Sequence, residues 1–404
     1  MNFFSILSSF ILDSIGFAGG GGSGSGGGGG GHSSSHHGGS SSGNSTVDAI
    51  FTVIFFIVMI ICIVASKKQT AKREKLLAEQ RAKYTAEDRR ILEKARHIFI
   101  EYQKDWSNFD AEKMRAYMTD GYYRHALLML SAIGSMHRQN IVSDLSVKEV
   151  DFVDPGHPGK KTRTIKFIFS GRDALYDLRK QKYHINTFVS CATETWQFEV
   201  VDGELLLDKI IQPTISTNHL IGELYQFAEG HNLCYSPDWG RYAMPEGGML
   251  FDGVRFNVAD INNHILGKWN DVLVQLYTYS KIPGTPKSYQ LVGQLTVPKT
   301  YSGIIVRNRK QGKKLKIPKG YERYELEWEE FNRHFELYAT DPDKITSFEL
   351  LNPKFMTHLY DHGIECSLEV IEDRIYIFTN AGIKSENYSH MLDILTEAYQ
   401  ELKM

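Results

Sequence analysis

The hydrophobic pattern changes character several times along the chain. Residues 49–65, AIFTVIFFIVMIICIVA, carry no charge, and Thr52 and Cys62 are their only polar side chains. As a helix this run measures roughly 26 Å at ~1.5 Å per residue, close to the ~30 Å hydrocarbon core of a bilayer. A helix also satisfies its own backbone hydrogen bonds in lipid. The pattern therefore predicts a single transmembrane helix over 47–66. Asp48 precedes the run, and Lys67, Lys68, Lys72, Arg73 and Lys75 follow it. Basic flanks stay on the cytoplasmic side. The expected placement is the inner cell membrane, with the N-terminus outside and everything after Ser66 inside.

Beyond the basic stretch the period becomes helical. Thr85 is placed to cap a helix with Glu87 and Asp88 in its first turn. Ile91, Ala95, Ile98, Tyr102 and Trp106 then fall on one apolar face. Short helices are expected over 110–118 and 122–136. After these the period drops to two. Residues 146–153, 164–171 and 194–200 read as strands, and Asp202-Gly203 is a hairpin turn returning into 205–211. Helices followed by an antiparallel sheet predict an α+β cone over 85–215.

The remainder reads as a connecting segment over 216–260 and a second α+β domain, rich in antiparallel strands, over 261–404. Strands are expected over 271–279, 289–297, 303–307, 321–328 and 334–338. Residues 367–371 and 375–378 are expected to pair across Glu372-Asp373. Pro353 opens a helix through His362, and 388–402 forms a C-terminal amphipathic helix.

Two stretches carry a resemblance. Ile98-Phe99, Tyr102-Gln103, Trp106 and Asp110, with Glu194 to Phe198 and Leu207 to Ile210, resemble the mitochondrial inner-membrane translocase subunit forty-four (Tim-like) family. The resemblance implies a nuclear-transport-factor-2-like cone and membrane-attached scaffolding linked to protein transport. Phe331 to Asp341 and Leu350 to Met356 resemble an uncharacterised bacterial domain found in membrane-associated proteins. That second likeness implies architecture and no chemistry.

Composition narrows the classes. The chain has 404 residues and a net charge of −2, so no global field draws it to nucleic acid. Cys62, Cys191, Cys234 and Cys366 are scattered, without a CxxC pair, which fits reduced thiols. Residues 1–18 read either as a secretory signal or as an interfacial segment. Residues 19–46 are a Gly/Ser tether, whose His32, His36 and His37 read as filler or as chelators. Residues 67–84 are a basic juxtamembrane helix, either surface-hugging or solvated.

The search for chemistry returns little. No phosphate-binding loop, HExxH or kinase signature occurs, and a GxSxG string at Gly39–Gly43 lies inside the tether. Asp361 with His362 and Glu372 with Asp373 are acid–base pairs by proximity alone. No catalytic residue, cofactor or metal is assigned. Trp106, Tyr122, Tyr123, Trp196 and Phe198 are candidates to line a cone cavity for a partner, a lipid or a small ligand, or else to fill the core. Lys67, Lys68, Lys72, Arg73, Lys75, Arg307, Arg309, Lys310, Lys313 and Lys314 are candidates for anionic-lipid contact. The expected function is a non-enzymatic scaffold for a protein partner or the inner leaflet. The alternatives are a lipid or small-ligand binder and a cone-fold isomerase or dehydratase.

Overall fold

The computed structural model describes residues 81–153, 161–211, 218–237, 240–245, 261–280, 289–310, 319–362, 365–379 and 385–403, with a few single positions between them. Among the described residues no helix is long and apolar enough to cross a membrane. This corrects the single transmembrane helix in the expected fold class, and with it the single-pass inner-membrane placement. The physical reason lies in the long helices that are described. Helix α1 (Ala86–Ser107) and helix α9 (Ser385–Lys403) each bury one apolar stripe and carry charge elsewhere. The predicted span over 47–66 lies outside the described residues.

The described residues up to Lys94 and those from Ala95 onward fall in separate units. In the first, the start of α1 is capped as the sequence predicts. Thr85 Oγ1 accepts from Asp88 N at 3.1 Å, and Thr85 N donates back to Asp88 Oδ2 at 2.9 Å.

The Ala95 unit is α+β and contains two antiparallel sheets. The first lobe consists of the rest of α1, helices α2 (Ala111–Arg115) and α3 (Asp120–Ser135), and a sheet of order β1-β2-β3-β4. Its strands are β1 (Arg138–Phe152), β2 (Thr162–Asp177), β3 (Lys182–Val201) and β4 (Glu204–Ile211). Asp202 (φ 52°) and Gly203 (φ 81°) turn β3 into β4. Thr119 caps α3 and also donates to Asp208 Oδ1 at 3.1 Å, which fixes the helix on β4. The rings of Phe99 and Phe167 stack at 4.5 Å, with Trp196 4.8 Å from Phe99. Ala95, Ile98, Tyr102 and Trp106 complete this buried aromatic core.

The second lobe begins earlier than the sequence suggests. Residues 216–260, expected as a connector, contribute helix α4 (Asn218–Gly230), strand β5 (Cys234–Ser236) and helix α5 (Gly240–Ala243). Leu224, Ala228 and Tyr242 are buried, so the segment packs rather than links. Strands β6 (Ile261–Trp269), β7 (Val272–Ser280), β8 (Tyr289–Asn308), β9 (Tyr321–Tyr324), β10 (Phe335–Thr340) and β11 (Cys366–Thr379) join β5 in a seven-stranded sheet. Helices α6 (Glu329–His334), α7 (Lys344–Leu350) and α8 (Pro353–Asp361) precede β11, and α9 follows it.

Strand β8 organises this lobe. Its first part pairs with β7, its last part with β10, and β11 runs along nearly its whole length. The expected separate strands over 289–297 and 303–307 are therefore one strand. Residues 367–378 do not fold back as a hairpin at Glu372-Asp373. Both halves pair with the single long partner, and Glu372 (φ 51°) makes an irregularity between them. Helix α9 lays Tyr388, Met391, Leu392, Leu395 and Ala398 onto the sheet. Gly293 leaves room for side chains on this face, because a Cβ there would stand 2.7 Å from Ile377 Cγ2 of β11 and 3.4 Å from Leu395 Cδ2 of α9.

Candidate functional site

The two lobes meet along a buried polar seam. It starts where α3 ends and His137 (φ 53°) turns the chain into β1. Arg138 is only 1% exposed and reaches out of its own lobe. Its guanidinium donates to the carbonyls of Tyr242 (2.7 Å) and Met244 (2.5 Å). Asn140 Oδ1 accepts from Trp106 Nε1 at 3.0 Å and from the Tyr242 hydroxyl at 3.2 Å. Asn140 Nδ2 donates to Asp173 Oδ1 at 2.7 Å. The Met136 sulfur receives the side-chain amides of Gln294 (3.5 Å) and Gln275 (3.8 Å). At the rim, Asp373 takes Arg179 at 3.0 Å and His137 at 3.4 Å, and Lys180 meets Glu372 at 3.2 Å. Burying this many polar groups is tolerable only because they are paired, and the pairing fixes one relative arrangement.

Two histidines sit in the seam. His125 Nε2 lies 3.0 Å from Ser236 Oγ, and His264 Nε2 lies 2.9 Å from Gln275 Oε1. Burial pushes the His125 imidazole down to about 3, with His264 adding to the effect, and pushes His264 down to about 4. The Ser236–His125 pair has the distance of a nucleophile and its base. A base that weak does not draw a proton from a hydroxyl at neutral pH, so the pair is a structural hydrogen bond.

The seam opens to solvent in a cleft of about 270 Å³. Ser135 comes from the end of α3, Asn270 to Leu273 and Gln275 from the β6–β7 turn and β7, Thr296 from β8, and Tyr399, Gln400 and Lys403 from α9. Asn270 (φ 48°) and Asp271 (φ 62°) form a tight hairpin turn. Asn270 Nδ2 donates to Thr396 Oγ1 at 3.1 Å, which pins that turn to α9. Ser135 Oγ and Thr296 Oγ1 stand 3.2 Å apart across the lobe boundary. The Lys403 ammonium lies 5.9 Å from the centre of the Tyr399 ring. The lining is mostly amide, hydroxyl and apolar, with one carboxylate and one ammonium.

The candidates read from sequence fall elsewhere. Trp106, Tyr122, Trp196 and Phe198 are buried in the first lobe, Trp196 donating to Glu194 Oε2 at 2.8 Å. Tyr123 is half-buried beneath Arg115, 5.6 Å from its ring centre. Among the described residues the cleft is lined by none of these five. Of the basic candidates, Lys72 and Lys75 are exposed, and Lys67, Lys68, Arg73, Lys313 and Lys314 lie outside the described residues. Arg307 is 7% exposed and pairs with Glu336 at 3.1 Å. Arg309 reaches the same carboxylate at 3.6 Å, and Lys310 meets Glu365 at 4.0 Å. The seam residues passed unnoticed because Arg, Asn, Gln and His at these positions look like surface. Only the unusual density of polar groups over 136–140 within a strand-forming stretch hinted at it.

Comparison with known proteins adds architecture. A family profile described as "Protein of unknown function (DUF3137)" matches residues 288–391. The match spans well under half of the chain and includes the Phe331–Asp341 and Leu350–Met356 runs. It does not reach 85–215, and no match to the translocase family accompanies it. No curated protein matches the chain significantly. Among solved structures, the mycobacterial trehalose monomycolate transport factor A, TtfA, is 12% identical with a TM-score of 0.36, over 46% of this chain and 96% of that one. The intermembrane-space region of the chloroplast protein ARC6 is 12% identical with a TM-score of 0.24, over 30% of this chain and 94% of that one. Likenesses this distant stand as similarity alone.

Proposed function

We propose that the protein is a non-enzymatic binding scaffold that holds a protein partner at the cleft between its two lobes. The observation that carries this reading is the cleft itself. Amides and a hydroxyl from the second lobe converge with the Ser135 hydroxyl of the first on one solvent-open depression, and the seam beneath holds them in place. Such a lining recognises peptide groups by hydrogen bonding and leaves no activated nucleophile at the surface. The Ser236–His125 pair supports the non-enzymatic reading, since burial lowers the basicity of its imidazole.

The test is site-specific photo-crosslinking in the full-length protein. One photo-reactive residue replaces Gln400, which is exposed at the cleft; another replaces Glu325, which is exposed and does not line it. The reading predicts one protein partner captured from Gln400, not from Glu325, and lost on Lys403→Glu. Equal labelling from both positions, or none from Gln400, refutes it. A second reading, a small polar ligand in place of a protein, is favoured by the cleft's volume of about 270 Å³, just below the ~300–1,000 Å³ of drug-sized sites. Native mass spectrometry showing a bound small molecule, with no crosslinked partner, selects it.

A further inference from the structure

The direction of the hydrogen bonds beneath the cleft decides what the cleft can take. Arg374 on β11 is only 5% exposed, and its charge is met by Asp373 Oδ1 at 2.6 Å. Its Nη1 also reaches Thr296 Oγ1 at 3.4 Å, and a guanidinium only donates. On the other side, Ser135 Oγ gives its one proton to the Ala132 carbonyl at 2.8 Å, because a carbonyl only accepts. The 3.2 Å contact between the two hydroxyls must then run from Thr296 to Ser135. Both hydroxyl protons are thus engaged within the protein, and each oxygen keeps a lone pair. Asn270 Nδ2 donates to Thr396 Oγ1 at 3.1 Å, whereas its Oδ1 has no partner among the described residues. Asp271, exposed in the same turn, pairs with none of them either. Gln275 adds nothing, since its amide faces the seam, with Oε1 on His264 and Nε2 on the Met136 sulfur.

We infer, resting on the reading of the cleft as a partner site, that it binds the free N-terminal ammonium of a polypeptide. Ser135 Oγ, Thr296 Oγ1, Asn270 Oδ1 and the Asp271 carboxylate line the cleft as acceptors. An ammonium carries three N–H donors and no acceptor, so it suits this lining. A carboxylate or phosphate in the same place would face lone pairs and the charge of Asp271. Donors come from α9, where Gln400 and Lys403 are exposed and stand three residues apart on one helix face. The carbonyl next to a chain's α-ammonium accepts from them. Lys403 repels a bare cation, and its hydrogen bond to that carbonyl offsets the repulsion. A lysyl side chain or a small diamine brings the ammonium without the adjacent carbonyl, so it leaves the α9 donors unused.

The test titrates the full-length protein with alanyl-glycyl-glycine amide, followed by ligand-observed nuclear magnetic resonance. The N-acetylated peptide, N-acetyl-lysine amide and putrescine are run beside it. The inference predicts saturable binding of the free peptide and about tenfold or weaker binding of each of the other three. Asp271→Asn should raise the Kd of the free peptide about tenfold or more. Asn tolerates the left-handed backbone of position 271 (φ 62°), and far-ultraviolet circular dichroism checks that the variant is folded. Lys403→Met should weaken the free peptide and tighten putrescine. No saturable binding of the free peptide, equal binding of its acetylated form, or an unchanged Kd in folded Asp271→Asn overturns the inference. N-acetyl-lysine amide or putrescine binding as tightly as the free peptide overturns it too, since the source of the ammonium would then not matter. A partner photo-crosslinked from Gln400 alongside any of these results leaves the scaffold reading standing, so the two fail separately.

Discussion

Acid should weaken this fold through the two seam histidines. In the unfolded chain His125 and His264 protonate near the ordinary value of 6.5; in the folded chain they do so at about 3 and about 4. Their folded affinities are depressed, so the unfolded state binds more protons as pH falls. The stability they contribute is complete above about pH 6.5 and is lost below it. Between pH 8 and pH 5 each imidazole forfeits about 1.5 pH units, or roughly 2 kcal/mol at about 1.36 kcal/mol per unit. The pair is therefore worth about 4 kcal/mol at pH 5, a large fraction of an ordinary ~5–15 kcal/mol stability. The assay is urea unfolding of the full-length protein at pH 8 and pH 5, compared with a His125→Gln/His264→Gln variant. His358 and His362 are depressed in the same direction, so the difference between wild type and variant is the quantity that counts. The variant should lose about 4 kcal/mol less than wild type over this interval. Equal losses in the two proteins would refute the assignment of acid sensitivity to the seam.

Replacing Arg138 with Met removes the donors to the Tyr242 and Met244 carbonyls; about 3 kcal/mol of stability should be lost in urea titration. Trp106→Phe deletes only the indole donor to Asn140 Oδ1 along with some ring area, and should cost about 1–3 kcal/mol by the same measurement. Phe99→Ala opens a cavity among Phe167, Phe169 and Trp196 and should cost about 3–5 kcal/mol, seen as a lowered urea midpoint. Gly303 has φ 153° and a Tyr321 ring where a side chain would stand, the hydroxyl 1.7 Å from an added Cβ. Gly303→Ala should therefore lower the thermal midpoint clearly, and pairing it with Tyr321→Ala should recover part of that loss.

Periodicity made the first lobe largely readable. The stripe through Ala95, Ile98, Tyr102 and Trp106 is the buried face of α1, and Asp202-Gly203 turns β3 into β4. The alternating pattern starts β1 eight residues late, because Arg138, Gln139 and Asn140 carry polar side chains, and Arg138 finds its partners in the second lobe. Long β8 was read as two strands, since Pro298 and Gly303 are ordinary strand breakers and nothing local shows that β11 bridges them. The cleft was illegible for a related reason. Its residues come from α3, the β6–β7 turn, β8 and α9, and only tertiary pairing brings Ser135 beside Thr296. The aromatic candidates were legible as a group, and their destination in the core follows from their volume.

The account stands on the two lobes acting as one body through the Arg138–Asn140 seam. Thermal unfolding of the full-length protein tests this directly, read by hydrogen exchange across Ile165–Phe169 in the first lobe and across Ile375–Thr379 in the second. A common midpoint that Arg138→Met lowers for both signals is the predicted result. Two separate midpoints in the wild-type protein, or a shift confined to one lobe, would contradict it.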